Sequence, residues 1–299
     1  MSKVLFTEKT EKNTDEYRKQ FVRTVIAQEN DVYDSVEELN DDIQALLGKY
    51  STRTEIRDKE QIDKRLPSLF TAWGATLLGI MVLRNKEAAT SNGDRQVYFV
   101  GSNFEYDPFT ALAKRSAQDY VSWVDKRLVV RKNPTDGIAV GTRIKTIQGG
   151  ALKTVQNILE VGIKNGQSAE EIASAIDNYL LDDKRKVWVS PFQYYRDRWG
   201  YKVKKVPKGI PAGSVSFNSL RIARSEINNT WRQATVEIHK NKAWLKGYDW
   251  LLSASHPQPD ICDEWAAKGP YSAKDLPPGH PFCMCDVVPV FYTPEELGI

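Results

Sequence analysis

Cysteine, histidine and methionine are scarce in this chain: three of each among 299 residues. Three cysteines cannot all pair within one chain, which excludes a disulfide-stapled scaffold and fits a reducing compartment. An excess of charge of one sign is also missing. Lys and Arg number 42 against 39 Asp and Glu, a net +3, so no global attraction to nucleic acid or membrane is imposed. The opening residues, MSKVLFTEKTEKNTDEY, lack an apolar core, and no secretory signal is expected. Repeats of solenoid period and low-complexity tracts are absent. A single long uncharged run, Leu66 to Leu83, spans 18 residues, the lower limit for crossing a bilayer. It contains Pro67, Ser68, Thr71 and Thr76 and is flanked by Arg65 and Arg84. It reads as the buried central helix of a helical domain, with no membrane partner expected. The competing reading is a segment that enters a membrane once the protein leaves an assembly.

What is present is ordinary for a folded chain: 41% hydrophobic and 27% charged residues, enough to bury a sizeable core. Phe21, Val25, Val32, Val36, Leu39, Ile43 and Leu46 recur at helical spacing, which predicts a long amphipathic helix. The Leu66 helix is expected to pack on that stripe. Thr90 to Pro108 carries Asn-Gly and Gly-Ser signals around a β-like run, so the helix is expected to break there. Helix resumes near Ala111 and runs to about Leu128. A Pro/Gly-containing link at 131–137 predicts a boundary between a helical domain, 1–130, and a second domain, 131–299. In the second, Asn165-Gly166 ends one helix and Ser168, with Glu171, caps the next as a capping box. Leu220, Ala223, Ile227, Trp231, Ala234 and Ile238 form one face of a later helix. The expected fold is mainly α: an elongated helical N-terminal part, then an α+β C-terminal domain ending in a small zinc-binding β/loop module at 248–290.

Charge is concentrated in one segment. Asp183 to Lys208 holds nine Lys and Arg against two Asp, with six aromatic residues interleaved. Lys184, Arg185, Lys186, Arg196, Arg198, Lys202, Lys204 and Lys205 are candidate phosphate contacts, and the aromatic rings could stack on exposed bases. The segment reads equally as a solvated loop or β-arm whose rings pack on a neighbouring subunit.

Every cysteine, and two of the three histidines, fall between His256 and Cys285. Thiolate and imidazole are zinc ligands, usually four in a tetrahedron. Cys262, His280, Cys283 and Cys285 supply such a set, and His256 is a spare or competing ligand. A turn at Phe282–Met284 is expected to bring Cys283 and Cys285 to one ion. Prolines at 277, 278 and 281 leave little else to order this loop, so binding and folding should be coupled, and losing Cys283 should loosen this module while sparing the N-terminal helices. A zinc deaminase needs His-x-Glu and Pro-Cys-x-x-Cys, which this spacing does not provide. Reduced, metal-free thiols and a Cys/His nucleophile pair are the remaining alternatives. His239, on the long helix, reads as a surface or packing residue and not as a ligand.

Arg224-Ser225-Glu226 on a helix, then His256, Asp260 and Cys262, then His280, Pro281, Cys283 and Cys285 before a short strand, resemble the phage head-morphogenesis family, minor capsid proteins of the Mu F type. The resemblance covers about Gly149 to Val290, with Ser225 where the family has Thr. It implies a structural virion protein present in few copies inside the head near the portal, and in the host cytoplasm during assembly. Its implied partners are the portal protein, the major capsid protein and genomic DNA, bound without sequence preference during packaging or ejection. It implies no catalytic residue. Arg224, Glu226 and Asp260 are expected to be structural, with Glu226 accepting hydrogen bonds from the metal-bearing loop or the turn after its helix. The alternative from another class is a metal-dependent nuclease or toxin-type enzyme, which needs an open metal position and a general base.

Overall fold

A computed structural model describes residues 8–52, 54–132, 137–181, 214–253, 260–280 and 283–298. The fold is mainly α, with one small two-stranded sheet. Helix α1 (Glu8–Tyr50) and helix α2 (Lys59–Phe104) dominate the N-terminal part. Their contacts run in opposite directions: Ser35 meets Trp73, Asp31 meets Arg84 and Tyr17 meets Tyr98, so the pair is antiparallel. Helix α3 (Asp107–Arg127) folds back on α2. Helix α4 (Val140–Lys164), α5 (Ala169–Leu180) and α6 (Val215–His239) follow. Strand β1 (Leu245–Leu251), helix α7 (Ile261–Lys268), strand β2 (Asp286–Phe291) and the short α8 (Pro294–Leu297) complete the described chain.

The predicted stripe of α1 is buried along its whole length, from Phe21 to Leu46. Ser168 and Glu171 form the capping box expected at the start of α5. The break expected between Thr90 and Pro108 does not occur before Phe104, because α2 continues through both glycine signals. Gly93 serves packing instead. A Cβ there would lie 3.1 Å from the Ala117 Cβ, so glycine lets α3 approach α2 closely. The helix stops where Glu105 adopts a left-handed conformation (φ 46).

The uncharged run is buried on one stripe, Leu66, Phe70, Trp73, Leu77 and Met81. By length and composition α2 is a helix able to cross a membrane, and one-third of that apolar window is buried in the fold. Apart from Pro67 and Leu83 its exposed positions are small or hydroxyl-bearing: Ser68, Thr71, Ala72, Ala75, Thr76 and Gly79. Such side chains tolerate water without charge, so this run does not need burial on all sides.

Helix α6 is the spine of the molecule. Its first turns join α1, α2, α4 and α5 in the largest core. Ile227 and Trp231 pack with Phe21, Val25 and Ala88 in another. Ala234 and Ile238 join Val100, Phe104 and Tyr120 in a third. Residues on both sides of the 131–137 link therefore share cores. A Pro/Gly link marks a change of chain direction, and the apolar faces on either side of it meet again in space.

Buried ion pairs reinforce the spine. Arg224 donates through Nε to Glu29 on α1 at 2.5 Å. Arg131 donates to Glu226 at 2.5 Å and to Thr230 at 2.7 Å. Arg95 on α2 donates to Asp286 at 2.7 Å, at the first residue of β2. His239 is fully buried, which makes it the packing residue of the two readings and not a surface one. Its Nδ1 accepts from Trp244 at 3.0 Å, so Nε2 carries the proton and donates to Gln96 at 2.9 Å.

Candidate metal centre

Strands β1 and β2 pair antiparallel, placing Trp250 opposite Val287 and Leu251 opposite Asp286. Tyr248 also bridges to Tyr271, which folds the 269–280 loop back over β1. This small framework presents the cysteines. Cys262 lies in the first turn of α7. Asp260 caps that turn, accepting from the Cys262 amide at 2.7 Å, and Asp263 completes a capping box. Cys283 and Cys285 arrive on the segment that enters β2.

The three sulfurs lie within 4.8 Å of one another, and Cys262 and Cys283 are 3.6 Å apart. That is far beyond the ~2 Å of a disulfide bond. All three are free and buried, at 0%, 3% and 2% exposure. Ligand atoms of Asp260, Cys262 and His280 form a second, overlapping group within the same limit. The cluster can hold a metal ion. His280 Nε2 is 3.1 Å from Asp260 Oδ2.

The turn expected at Phe282–Met284 begins at a residue outside the described ones. Side chains two apart in extended chain share a face, so Cys283 and Cys285 point together while Met284 and Asp286 point the other way. The Cys283 amide donates to the His280 carbonyl at 3.1 Å. This bond brings His280 back toward the cysteines.

Hydrogen bonds from the Cys262 and Cys285 thiols, and contacts with His280 and Arg232, hold Cys283 far below the usual thiol range. Cys262 and Cys285 are held above that range, first by hydrogen bonding to Cys283 and then by burial. A dication would replace the shared protons.

Two residues of α6 that sequence reasoning passes over reach this cluster. Asn228 donates to the Cys283 carbonyl, and Arg232 Nη1 lies 3.4 Å from Cys283 Sγ. They are four apart, one turn of helix, so both address the same loop. The available signal is a polar pair, Asn228 and Arg232, flanking the buried Trp231. Arg224 and Glu226, carried by the same helix, are buried in ion pairs: Arg224 with Glu29 of α1, and Glu226 with Arg131.

His256 lies outside the described residues. So do Lys184, Arg185, Lys186, Arg196, Arg198, Lys202, Lys204 and Lys205, the whole basic-aromatic segment. Comparison with protein-family models, curated proteins and solved structures finds no match to this chain.

Proposed function

We propose that this chain is a structural phage protein: a minor capsid or head-morphogenesis factor, placed inside the head near the portal, whose C-terminal module is knit by zinc. One observation carries the reading. Cys262, Cys283 and Cys285, residues on which the resemblance rests, converge on one buried cluster, and half-buried His280 joins Cys262 and Asp260 in an overlapping group. Three thiolates and one imidazole fill a tetrahedron, the usual form of a structural zinc site. Tetrahedral zinc–sulfur bonds of about 2.3 Å would put sulfurs about 3.8 Å apart. The observed Cys262–Cys283 separation of 3.6 Å fits that spacing. A hydrolytic zinc needs an open position and a base, so a full ligand set favours a structural role over a nuclease or toxin.

Zinc is tested by elemental analysis of protein purified without chelator. One ion per chain is expected, and folded protein with no ion and freely titratable thiols counts against the site. The virion role is tested by following the protein through assembly. Co-purification with proheads and mature heads supports it, and appearance in neither sinks it. A nuclease assay on metal-replete protein should show no activity. The segment 183–208 supplies a DNA contact in this reading. Neutralising Lys202, Lys204 and Lys205 together should reduce the salt slope of DNA binding by up to about three. A flat slope with lost incorporation into heads would assign the segment to a protein partner.

A further inference from the structure

The metal cluster is closed on one side by a buried cation. Arg232 is 6% exposed. Its Nη1 faces Cys283 Sγ at 3.4 Å and the Cys285 carbonyl at 3.5 Å, and its Nη2 donates to Asn229 Oδ1 at 2.7 Å. The guanidinium lies over the Trp250 ring, 5.3 Å from its centre. The backbone of Gly279 presses on it from the ligand loop. A Cβ at Gly279 would fall 2.5 to 2.7 Å from Nη2, Cζ and Nη1, and Gly279 has φ +76, which glycine tolerates. Strand β1, helix α6 and the loop before His280 are thus all shaped around this one group.

An arginine stays charged, and burying it without a counter-charge is costly. Three thiolates around a dication, with a neutral imidazole, leave one net negative charge. One guanidinium cancels it. Adding the Asp260 carboxylate as a ligand would leave a second negative charge, and Asp260 is already engaged by the Cys262 amide and by His280. We infer that Arg232 is the built-in counter-charge of the metal centre, matched to a dication held by Cys262, Cys283, Cys285 and a neutral His280, with Asp260 as the group that orients His280. This inference rests on the metal reading proposed above and names a residue that reading does not require. Arg232 acts through the sulfurs and is a positioning residue.

The test compares zinc affinity, by competition with a chromophoric chelator, and the cobalt spectrum for the full-length wild type and variants. Arg232→Gln removes the charge and keeps most of the side chain. It should weaken zinc about 10- to 100-fold, the usual effect of losing an outer-sphere partner, while the thiolate-to-cobalt charge-transfer intensity stays that of three thiolates. Arg232→Lys should recover most of the affinity. Asp260→Asn should leave the cobalt ligand field in place, whereas His280→Ala should shift it. Zinc binding within about twofold of wild type in Arg232→Gln overturns the inference, since an outer-sphere partner should matter more than that. So does an Arg232→Lys variant as weak as Arg232→Gln, since shape and not charge would then be the cause. If Arg232→Gln fails to fold, Asn229→Ala replaces it: freeing the guanidinium should weaken zinc, and unchanged affinity overturns the inference. A wild type that takes up no zinc sinks the metal reading itself, a result distinct from a zinc-loaded wild type indifferent to Arg232.

Discussion

Arg18, on the first helix, donates through Nη2 to the main-chain carbonyl of Met284 at 2.5 Å, across 266 residues of sequence. Met284 lies between two cysteines of the metal cluster. Its side chain is 4% exposed and packs with Phe21, Val25, Ala88 and Trp231. The next residue but one, Asp286, takes Arg95 at 2.7 Å and Trp231 Nε1 at 2.9 Å, with Arg18 at 3.6 Å. Residues 283 to 286 alternate: two cysteines face the cluster, while Met284 and Asp286 face the helical core. The candidate metal cluster and helix docking are therefore two sides of one short segment.

Loss of the metal should be felt at the start of α1. Sequence separation predicts that Cys283→Ser spares the N-terminal helices, but the Arg18–Met284 and Phe21–Met284 contacts tie α1 directly to the ligand segment. Chelation or Cys283→Ser should speed amide exchange in α1 between residues 15 and 26, while the far end of the helix, near Ile43, keeps its protection. Hydrogen-exchange mass spectrometry reads the difference. Equal protection at both ends before and after chelation would refute the coupling.

Breaking the Arg131–Glu226 pair should be severe. Glu226 is fully buried and Arg131 nearly so. Removing one partner leaves a buried charge, which costs about 3–5 kcal/mol. Arg131→Met should therefore unfold at markedly lower urea, and so should Glu226→Gln, which leaves the buried Arg131 guanidinium without a counter-charge although the amide still accepts a hydrogen bond. A double-mutant cycle measures the coupling.

Acid should weaken the fold through His239. Burial, with Lys242 nearby, pushes its pKa down to about 3. An unfolded histidine titrates near 6.5, so on acidification the unfolded chain takes a proton that the folded one refuses. The contribution of neutral His239 is complete above about pH 6.5 and is lost progressively down to about pH 3, at about 1.4 kcal/mol per pH unit. Protonation would also set a second N–H against the Trp244 donor. Urea unfolding from about pH 7 down to about pH 4 should show this slope in the wild type. His239→Gln should start less stable at neutral pH and lack that part of the slope.

Gly93 should tolerate little enlargement. A Cβ at this position would sit 3.1 Å from that of Ala117, which leaves room only for small adjustment. Gly93→Ala should be nearly neutral, because a helix-propensity gain of up to about 1 kcal/mol offsets the crowding. Gly93→Val should cost about 1–3 kcal/mol through overpacking, measured by urea midpoint at constant m-value.

Much of this protein is legible without coordinates. Helical periodicity marks the α1 stripe and the α6 face because an amphipathic helix needs only local spacing. The Ser168–Glu171 cap is local as well. The four candidate ligands are legible because thiols and imidazoles are few and gathered. Glycine signals mislead where their use is tertiary: Gly93 resembles a turn residue in sequence, and only the neighbouring α3 shows it to be a contact point. The companions of the cluster are hidden for the same reason. Arg232 is 30 residues from Cys262 and 51 from Cys283, and nothing along the chain ties it to them. Its guanidinium, and the Arg18 that meets Met284, acquire their roles when helices pack. Local pattern determined most of the helices and gathered the residue types able to hold a metal; packing alone decided which buried charges lie beside them, because charge compensation acts through distances of a few ångströms that sequence separation does not record.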